Sequence, residues 1–233
     1  IRWVTIIIND KVVEGRVFNF KVSGYSRGHR VLGSDKVRIL SAEKYPQLLE
    51  KNKVIVDRDR RKKIIIEQIQ KIAETTMCRP IRAELLMEEV VDLVEWPIAM
   101  TGTFDKKFLK IPKEIIIATM QDHQRYFPVE NEKGKLINKF VFIANNITED
   151  KNLIVEGNEK VLRPRLEDAN FFYEEDCRIS IESRLSALKS TTYYKNLGSV
   201  YDKASRVKNC VESFCADFKA SKKITSEAAM LGY

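Results

Sequence analysis

Residues 111–144 decide the fold class, and they read IPKEIIIATM QDHQRYFPVE NEKGKLINKF VFIA. Pro112 predicts the start of a helix, because its fixed φ suits the first helical turn and its missing N–H is not needed there. Tyr126–Val129 and Phe140–Ala144 have the β-branched and aromatic composition of strands. The polar turn Asn131–Lys135 between them predicts a hairpin. A helix that leads into a hairpin indicates an α+β fold.

Two helices and a strand are predicted before this segment. The strand lies near Ile98–Phe104, and Trp96-Pro97 ends a helix at about Ala83–Val94, since proline disfavours α geometry in the residue before it. A longer helix begins near Asp57. Its core face is formed by isoleucines at helical spacing, Ile65, Ile69 and Ile72.

The first residues predict β structure and a loop. Trp3–Ile8 and Val12–Val22 flank the turn pair Asn9-Asp10 and predict a hairpin. Three glycines between Ser23 and Ser34 predict that this stretch is a loop.

From about Leu153 onward the apolar pattern is helical. Pro164 lies inside the first of these helices and predicts a break or a new helix start. We therefore predict an α+β domain with a mixed sheet over residues 1–150 and a helical segment over residues 151–233.

Composition argues against a disordered chain and against a membrane-spanning protein. The 233 residues include 41 Lys and Arg against 33 Asp and Glu, which gives a net charge of +8, and apolar residues recur throughout. Apolar runs such as Val4–Ile8 fall far short of the ~20 residues that a membrane-spanning helix needs, and no secretory signal is visible. The chain starts within an apolar run and without methionine, so we expect a piece of a longer protein.

The four cysteines form no C-x-x-C pair and have no nearby histidine, which argues against a zinc site. We expect free, mostly buried thiols in a reducing cytoplasm and no metal site.

The only histidines are His29 and His123, and the sequence has no H-E-x-x-H, G-x-S-x-G or dinucleotide-binding motif. Asp122 beside His123 suggests acid–base chemistry, but neighbouring helical residues diverge. The residues favour a basic binding module over a self-sufficient enzyme.

Three basic clusters are candidates for contact with a polyanion. The loop Tyr25–Arg30 combines arginines, a histidine and an aromatic residue, which can hold a phosphate or a base or can serve structure alone. The run Arg58–Lys63 is either a solvated first helical turn or the site of an acidic partner. The third cluster, around Arg163 and Arg165, either forms ion pairs within its helix or faces nucleic acid.

Several long strings then connect the chain to a known family. They are RGHR at 27–30, LVEWP at 93–97, DHQRYFPV at 122–129, EGNEKVLRPRL at 156–166, DANFF at 168–172 and LGSVYDK at 197–203. Together they resemble, in order and along nearly the whole chain, the beta subunit of bacterial glycyl-tRNA synthetase.

The resemblance implies a role within a larger enzyme. Synthetases of this type are cytoplasmic heterotetramers of two alpha and two beta subunits. The alpha subunit activates glycine with ATP and Mg, and the beta subunit mainly recognises tRNA. This chain is expected to be an internal piece with a region similar to the B3/B4 domain of phenylalanyl-tRNA synthetase, followed by a truncated HD-like domain. No catalytic residue and no cofactor is expected in it.

Three functions stay open. The first is tRNA(Gly) binding and subunit assembly for the attachment of glycine to tRNA. The second is an editing-type aminoacyl-tRNA deacylase, by fold analogy alone. The third is a scaffold that docks the alpha subunit. The candidate tRNA contacts are Arg27, His29, Arg30, Arg125, Arg163 and Arg165, chosen for their chemistry within the matching strings.

Overall fold

The computed structural model of the chain describes residues 3–81, 83–146 and 150–232. The chain divides into two units, Ile1–Asn170 and Phe171–Tyr233. The strands of the described residues are β1 (Ile7–Ile8), β2 (Lys11–Val12), β3 (Arg16–Val17), β4 (Phe20–Lys21), β5 (Tyr25–Ser26), β6 (Val37–Arg38), β7 (Cys78–Pro80), β8 (Ile98–Thr103), β9 (Phe127–Asn131) and β10 (Leu136–Ala144). The α-helices are α1 (Tyr45–Lys51), α2 (Arg58–Thr76), α3 (Glu84–Leu93), α4 (Lys113–Gln124), α5 (Lys151–Arg178), α6 (Ile181–Arg184), α7 (Val200–Phe214) and α8 (Lys222–Leu231).

A four-stranded sheet with the order β7-β9-β10-β8 forms the centre of the first unit. The predicted helix and hairpin are confirmed, because α4 follows Pro112 and β9 and β10 pair across the predicted turn. All three strand pairs of this sheet are antiparallel, so the prediction of a mixed sheet is wrong. A parallel pair needs a crossover between neighbouring strands, whereas α4 joins β8 to β9, which are not neighbours.

The two faces of the sheet carry different cores. One face packs against α2 and α3, where Ile65 and Ile69 are completely buried, as the isoleucine spacing predicted. On the opposite face, the rings of Tyr126 and Phe140 stack with their centroids 4.8 Å apart. Gly102 makes room for this stack, because a Cβ at that position would lie 2.4 Å from Cζ of Phe140.

The N-terminal region is more finely divided than predicted. The turn Asn9-Asp10 does join two antiparallel strands, β1 and β2. The expected long strand Val12–Val22 is instead broken, and β3 and β4 form a hairpin of their own. The expected loop Ser23–Ser34 contains β5, which pairs with β6.

Helix α5 is continuous through Pro164, so the predicted break there is wrong. Tertiary contacts hold the helix in place: Leu162 and Leu166 on either side of the proline are completely buried. Oε1 of Glu159 accepts hydrogen bonds from N and Oγ1 of Thr103 at 2.7 and 2.8 Å. These contacts keep the start of α5 in the first unit, which ends at Asn170.

The second unit is helical, as predicted, and its core is small. Ser199 caps α7, and a capping box links it reciprocally with Asp202. A 3₁₀ helix at Leu185–Ser190 follows α6. Among the described residues of this unit, Ala204 and Cys215 are the buried hydrophobic ones. None of the helices in the described ranges has the length and apolar character needed to cross a membrane.

Candidate nucleic-acid interface

Most of the basic run Arg58–Lys63 is engaged by other groups of this same chain. The ion pairs join Arg58 to Glu88 and Asp92, Arg60 to Glu50, and Lys62 to Glu84 and Glu88. Hydrogen bonds from Lys62 and Arg58 lower the pKa of Glu88 to about 2. Helix α3 therefore supplies the acidic partners of Arg58 and Lys62, while Arg61 donates to backbone carbonyls and exposed Lys63 lies 4.0 Å from Glu67.

The basic loop Tyr25–Arg30 is organised around a buried histidine. His29 is only 3% exposed, and its Nδ1 accepts hydrogen bonds from the backbone N–H groups of Val31 at 3.2 Å and Leu32 at 3.1 Å. Its own backbone N–H donates to the carbonyl of Asn52 at 2.9 Å. His29 therefore holds the loop together from inside and is not at the surface, where a tRNA contact must lie.

The loop packs closely on the end of α1. The N–H of Gly33 donates to the carbonyl of His29 at 2.8 Å, and the N–H of Ser34 donates to Oδ1 of Asn52 at 3.3 Å. A Cβ at Gly33 would lie 2.3 Å from the carbonyl oxygen of Asn52, so this position requires glycine. The close packing fixes the backbone from which Arg27 and Arg30 project.

One stretch of the first unit carries positive charge without internal compensation. Between Gly15 and Ala42 the sequence has six basic residues and one acid, Asp35. The six, all exposed, are Arg16, Lys21, Arg27, Arg30, Lys36 and Arg38. Within the described ranges none of them forms an ion pair. We call residues 15–42 the positive segment.

Arg125 is occupied by contacts within the protein. It ends α4 with a left-handed backbone, at φ 60°. Its guanidinium donates to the carbonyls of Gln121 and Asp122 and pairs with the carboxylate of Glu89 on α3. Arg125 therefore closes α4 and ties it to α3, and most of its donors are already used.

Arg163 and Arg165 are both exposed on α5, but they do not share a face of the helix. Two residues apart on a helix correspond to a rotation of about 200°. The pair thus lies on opposite sides of the stripe formed by buried Leu162 and Leu166. Lys160, in the same cluster, forms the expected helical ion pair with Glu156 at 3.6 Å.

Comparison with known proteins places the chain in a family. The sequence model of the family described as glycyl-tRNA synthetase beta subunit matches residues 1–232. The chain belongs to the glycyl-tRNA synthetase beta subunit family. Its relatives include the glycine–tRNA ligase beta subunits of Psychromonas ingrahamii, 39% identical over 229 residues, and Pseudoalteromonas translucida, 40% identical over 228 residues. The subunit of Geobacter sulfurreducens is 39% identical over 233 residues.

These alignments cover 98–99% of this chain but only 33–34% of each relative. The chain thus spans about a third of the length of the curated relatives it matches. The predicted family resemblance is confirmed, and the relatives are parts of an aminoacyl-tRNA synthetase, a ligase.

Three of the strings that identify the glycyl-tRNA synthetase family meet at one cavity of about 370 Å³. Leu93 and Val94 line it from one string, Tyr126 from the second and Asn158 from the third. The hydroxyl of Tyr126 donates to Oδ1 of Asn158 at 2.6 Å, and burial raises the pKa of Tyr126 to about 12. Asn158 in turn donates to the carbonyl of Ile154 at 2.7 Å. These polar groups satisfy one another, so the cavity is a structural junction between α3, β9 and α5.

The editing hypothesis gains no support from His123. This residue is exposed in the last turn of α4 and is not among the residues that line the cavity. Across the described ranges, no group of three or more His, Cys, Asp or Glu is placed to hold a metal ion.

Sequence reasoning missed a second site of positive charge. Lys113, in the first turn of α4, and Lys133 and Lys135, in the turn between β9 and β10, line a common cavity of about 310 Å³. None of the three is ion-paired within the described part of the chain. The helix start and the turn were each predicted, but their meeting in space depends on the pairing of β9 and β10.

Proposed function

We propose that this chain is a tRNA-contacting segment of a glycyl-tRNA synthetase beta subunit. The observation that carries the proposal is the positive segment, where six exposed cations face a single acid. A polyanion that contacts such a surface releases its condensed counterions, which is the main source of affinity for nucleic acid. Family membership supplies the polyanion, tRNA(Gly).

The proposed contacts are the candidate arginines that remain exposed. Arg27 and Arg30 belong to the positive segment, and Arg163 and Arg165 lie on α5. The opposed directions of Arg163 and Arg165 mean that at most one of them joins a given contact surface. Arg125 and His29 are not proposed as direct contacts. Arg125 closes α4 and ties it to α3, and His29 holds the basic loop together.

The activity of the whole enzyme is also part of the proposal. The family supports ATP- and Mg-dependent attachment of glycine to tRNA in the cytoplasm by a heterotetramer, with the catalytic site on the alpha subunit. The α+β architecture supports, as a further proposal, a likeness of the first unit to the B3/B4 domain of phenylalanyl-tRNA synthetase. The second unit is proposed to be the beginning of an HD-like helical domain.

A measurement of tRNA(Gly) affinity against salt concentration tests the proposal. Each exposed arginine that touches a phosphate should, when replaced by alanine, lower the slope of log affinity against log salt by about 1. The variants are Arg27→Ala, Arg30→Ala, Arg163→Ala and Arg165→Ala. Arg184→Ala is the control, because its guanidinium is paired with Asp176 at 2.8 Å. Unchanged slopes in all four variants contradict the proposal.

Subunit assembly is a second proposed role, and exposed apolar side chains on the second unit support it. Phe218 is 78% exposed and Ile224 is 67% exposed, in a unit with little core of its own. Such surfaces are typical of sites that another protein covers. Phe218→Ser should weaken capture of the alpha subunit, whereas Phe18→Ser, at an equally exposed position of the first unit, should not.

A further inference from the structure

Two aromatic rings lie at the outer face of the β5–β6 pair, Tyr25 on β5 itself and Trp3 from the neighbouring chain segment, each beneath a cation. Cζ of Arg27 lies 5.1 Å from the centroid of the Trp3 ring, and Nζ of Lys36 lies 4.3 Å from the centroid of the Tyr25 ring. Arg38 stands directly opposite Tyr25 in the strand register. We call these five residues the β5–β6 face.

The alternation of the strands explains why these side chains share one surface. Ser26 and Val37 pair with each other and are buried, at 5% and 6% exposure. Side chains alternate between the two faces of a strand, so the neighbours of this pair point outward. Tyr25 and Arg38 are both exposed, as are Arg27 and Lys36 beyond them.

Hydrogen bonds hold Trp3 beside β5. Oγ1 of Thr5 donates to the carbonyl of Tyr25 at 2.7 Å, and the N–H of Ser23 donates to the carbonyl of Val4 at 3.1 Å. Trp3 and Tyr25 remain 41% and 39% exposed. The two rings are thus exposed to solvent, and hydrogen bonds between the two chain segments fix the backbone that carries them.

This combination of groups matches the chemistry of unpaired nucleotides. Aromatic rings stack on bases whatever their sequence, and cations beside them follow the phosphate backbone. A guanidinium also stacks on a base, so a base inserted between Trp3 and Arg27 gains a contact on each side. The stems of Arg27 and Lys36 are long enough to move aside and reach a phosphate.

We propose that the β5–β6 face binds unpaired RNA nucleotides, with bases stacked on Trp3 and Tyr25 and phosphates held by Arg27, Lys36 and Arg38. This inference rests on the proposed function, and it adds the part of the RNA that is recognised. Duplex RNA does not offer its base faces, and an acidic polypeptide uses the cations but not the rings. Single-stranded RNA uses both.

Three ligands separate stacking from charge. Equilibrium binding to this chain is measured for a short single-stranded oligouridylate, for an abasic oligonucleotide of the same length and for polyglutamate of matched charge. The oligouridylate should bind about tenfold more tightly than the abasic strand, because stacking adds affinity for each base. Polyglutamate should bind no better than the abasic strand.

Substitutions test whether the preference for oligouridylate over the abasic strand comes from the rings of Trp3 and Tyr25. Trp3→Leu and Tyr25→Leu should each weaken oligouridylate binding about tenfold and leave abasic binding unchanged. Arg27→Gln and Lys36→Gln should each lower the salt slope by about 0.7 for both strands. Phe18→Leu is the matched control, since Phe18 is 79% exposed in the same region and has no cation over its ring within the described residues. Circular dichroism checks that each variant is folded.

The outcomes distinguish this inference from the proposed function. If tRNA(Gly) binds with a normal salt slope but the chain does not prefer oligouridylate to the abasic strand, the β5–β6 inference is overturned and the proposed function stands. Equal effects of Phe18→Leu and Trp3→Leu overturn it as well. If no RNA binds at all, both fail.

Discussion

His29 shows, at the scale of single residues, how one buried side chain organises a loop that is otherwise rich in arginine. The sequence placed His29 among the candidate tRNA contacts because of its chemistry within the string RGHR at 27–30. Its inward direction depends on Asn52, a residue far along the chain, and on two backbone N–H groups that its ring satisfies. Local sequence carries no sign of such a contact, whereas Arg27 and Arg30 are exposed as their chemistry suggested.

Replacement of His29 should therefore reduce stability and not the salt dependence of binding. His29→Ala leaves the partly buried N–H groups of Val31 and Leu32 without their acceptor and should lower the free energy of unfolding by about 1 kcal/mol. His29→Asn keeps an acceptor near Nδ1 and should recover part of the loss. Urea unfolding measures both variants, with Arg30→Ala as the exposed control. A salt slope of tRNA binding that falls in folded His29→Asn contradicts the structural role.

At the scale of elements, helix starts and core spacing were readable from the sequence. Oδ1 of Asp57 accepts from the N–H of Arg60 at the start of α2, and α4 begins directly after Pro112. The strands β5 and β6 were missed, because two-residue strands are too short to show a periodic pattern. The continuity of α5 was missed because the contacts that offset Pro164 come from elsewhere in the first unit.

The ion pairs between α2 and α3 predict a dependence of stability on pH. The pKa of Glu88 is about 2 in the folded chain, against an ordinary value of 4.5. A lowered folded pKa stabilises the protein above the unfolded pKa, and this contribution is lost as the pH falls through the folded value. The melting temperature of Glu88→Gln should thus be lower than that of the wild type at pH 7, and the difference should shrink between about pH 5 and pH 2.

A matched carboxylate on α2 serves as the control for Glu88. Glu67 is 4.0 Å from Lys63 in an exposed helical pair, an arrangement that contributes little. Glu67→Gln should change the melting temperature only slightly at any pH. A difference between wild type and Glu88→Gln that stays constant from pH 7 to pH 2 contradicts the assignment.

Replacement of Pro164 by alanine should stabilise the chain. A proline inside a helix lacks one backbone donor and crowds the preceding turn, at a cost of about 3 kcal/mol relative to alanine. Its greater rigidity in the unfolded chain offsets part of that cost. Pro164→Ala should therefore raise the free energy of unfolding by about 1–3 kcal/mol, as measured in urea.

Gly157 provides a comparison within the same helix. A Cβ at this position meets no other atom within 4 Å, so Gly157→Ala tests helix propensity alone and should stabilise the chain by about 1 kcal/mol. If Gly157→Ala stabilises the chain while Pro164→Ala destabilises it, the proline is required for the packing of α5 and the prediction fails.

At the scale of the whole molecule, the family was readable from a few strings. The strings at 122–129 and 156–166 meet in the first unit through the bond between Tyr126 and Asn158. This contact holds the start of α5 in the first unit, which runs to Asn170, and the domain division at residue 150 stays a prediction. The charge imbalance was readable from the sequence, whereas the structure was needed to show that the cations between residues 15 and 42 are exposed and unpaired while most of those at 58–63 are engaged.

The two units should differ in their protection from hydrogen exchange. The first has an extensive core on both faces of its sheet, whereas in the described part of the second only Ala204 and Cys215 are buried hydrophobic residues. Amide protection follows local stability. We expect amides of β10 and α2 to exchange at least about tenfold more slowly than those of α7 and α8, as measured by mass spectrometry. Equal protection throughout contradicts this expectation.

Tryptophan and exposed cysteine residues are distributed so that each unit can be followed by its own optical signal. Both tryptophans, Trp3 and Trp96, belong to the first unit, whereas the exposed thiols, Cys177 and Cys210, belong to the second. Intrinsic indole emission therefore follows the first unit alone, and a maleimide dye added briefly labels exposed Cys177 and Cys210 of the second unit in preference to half-buried Cys78 of the first. One sample carries both signals, so the order in which the two units lose structure on heating can be followed without any substitution.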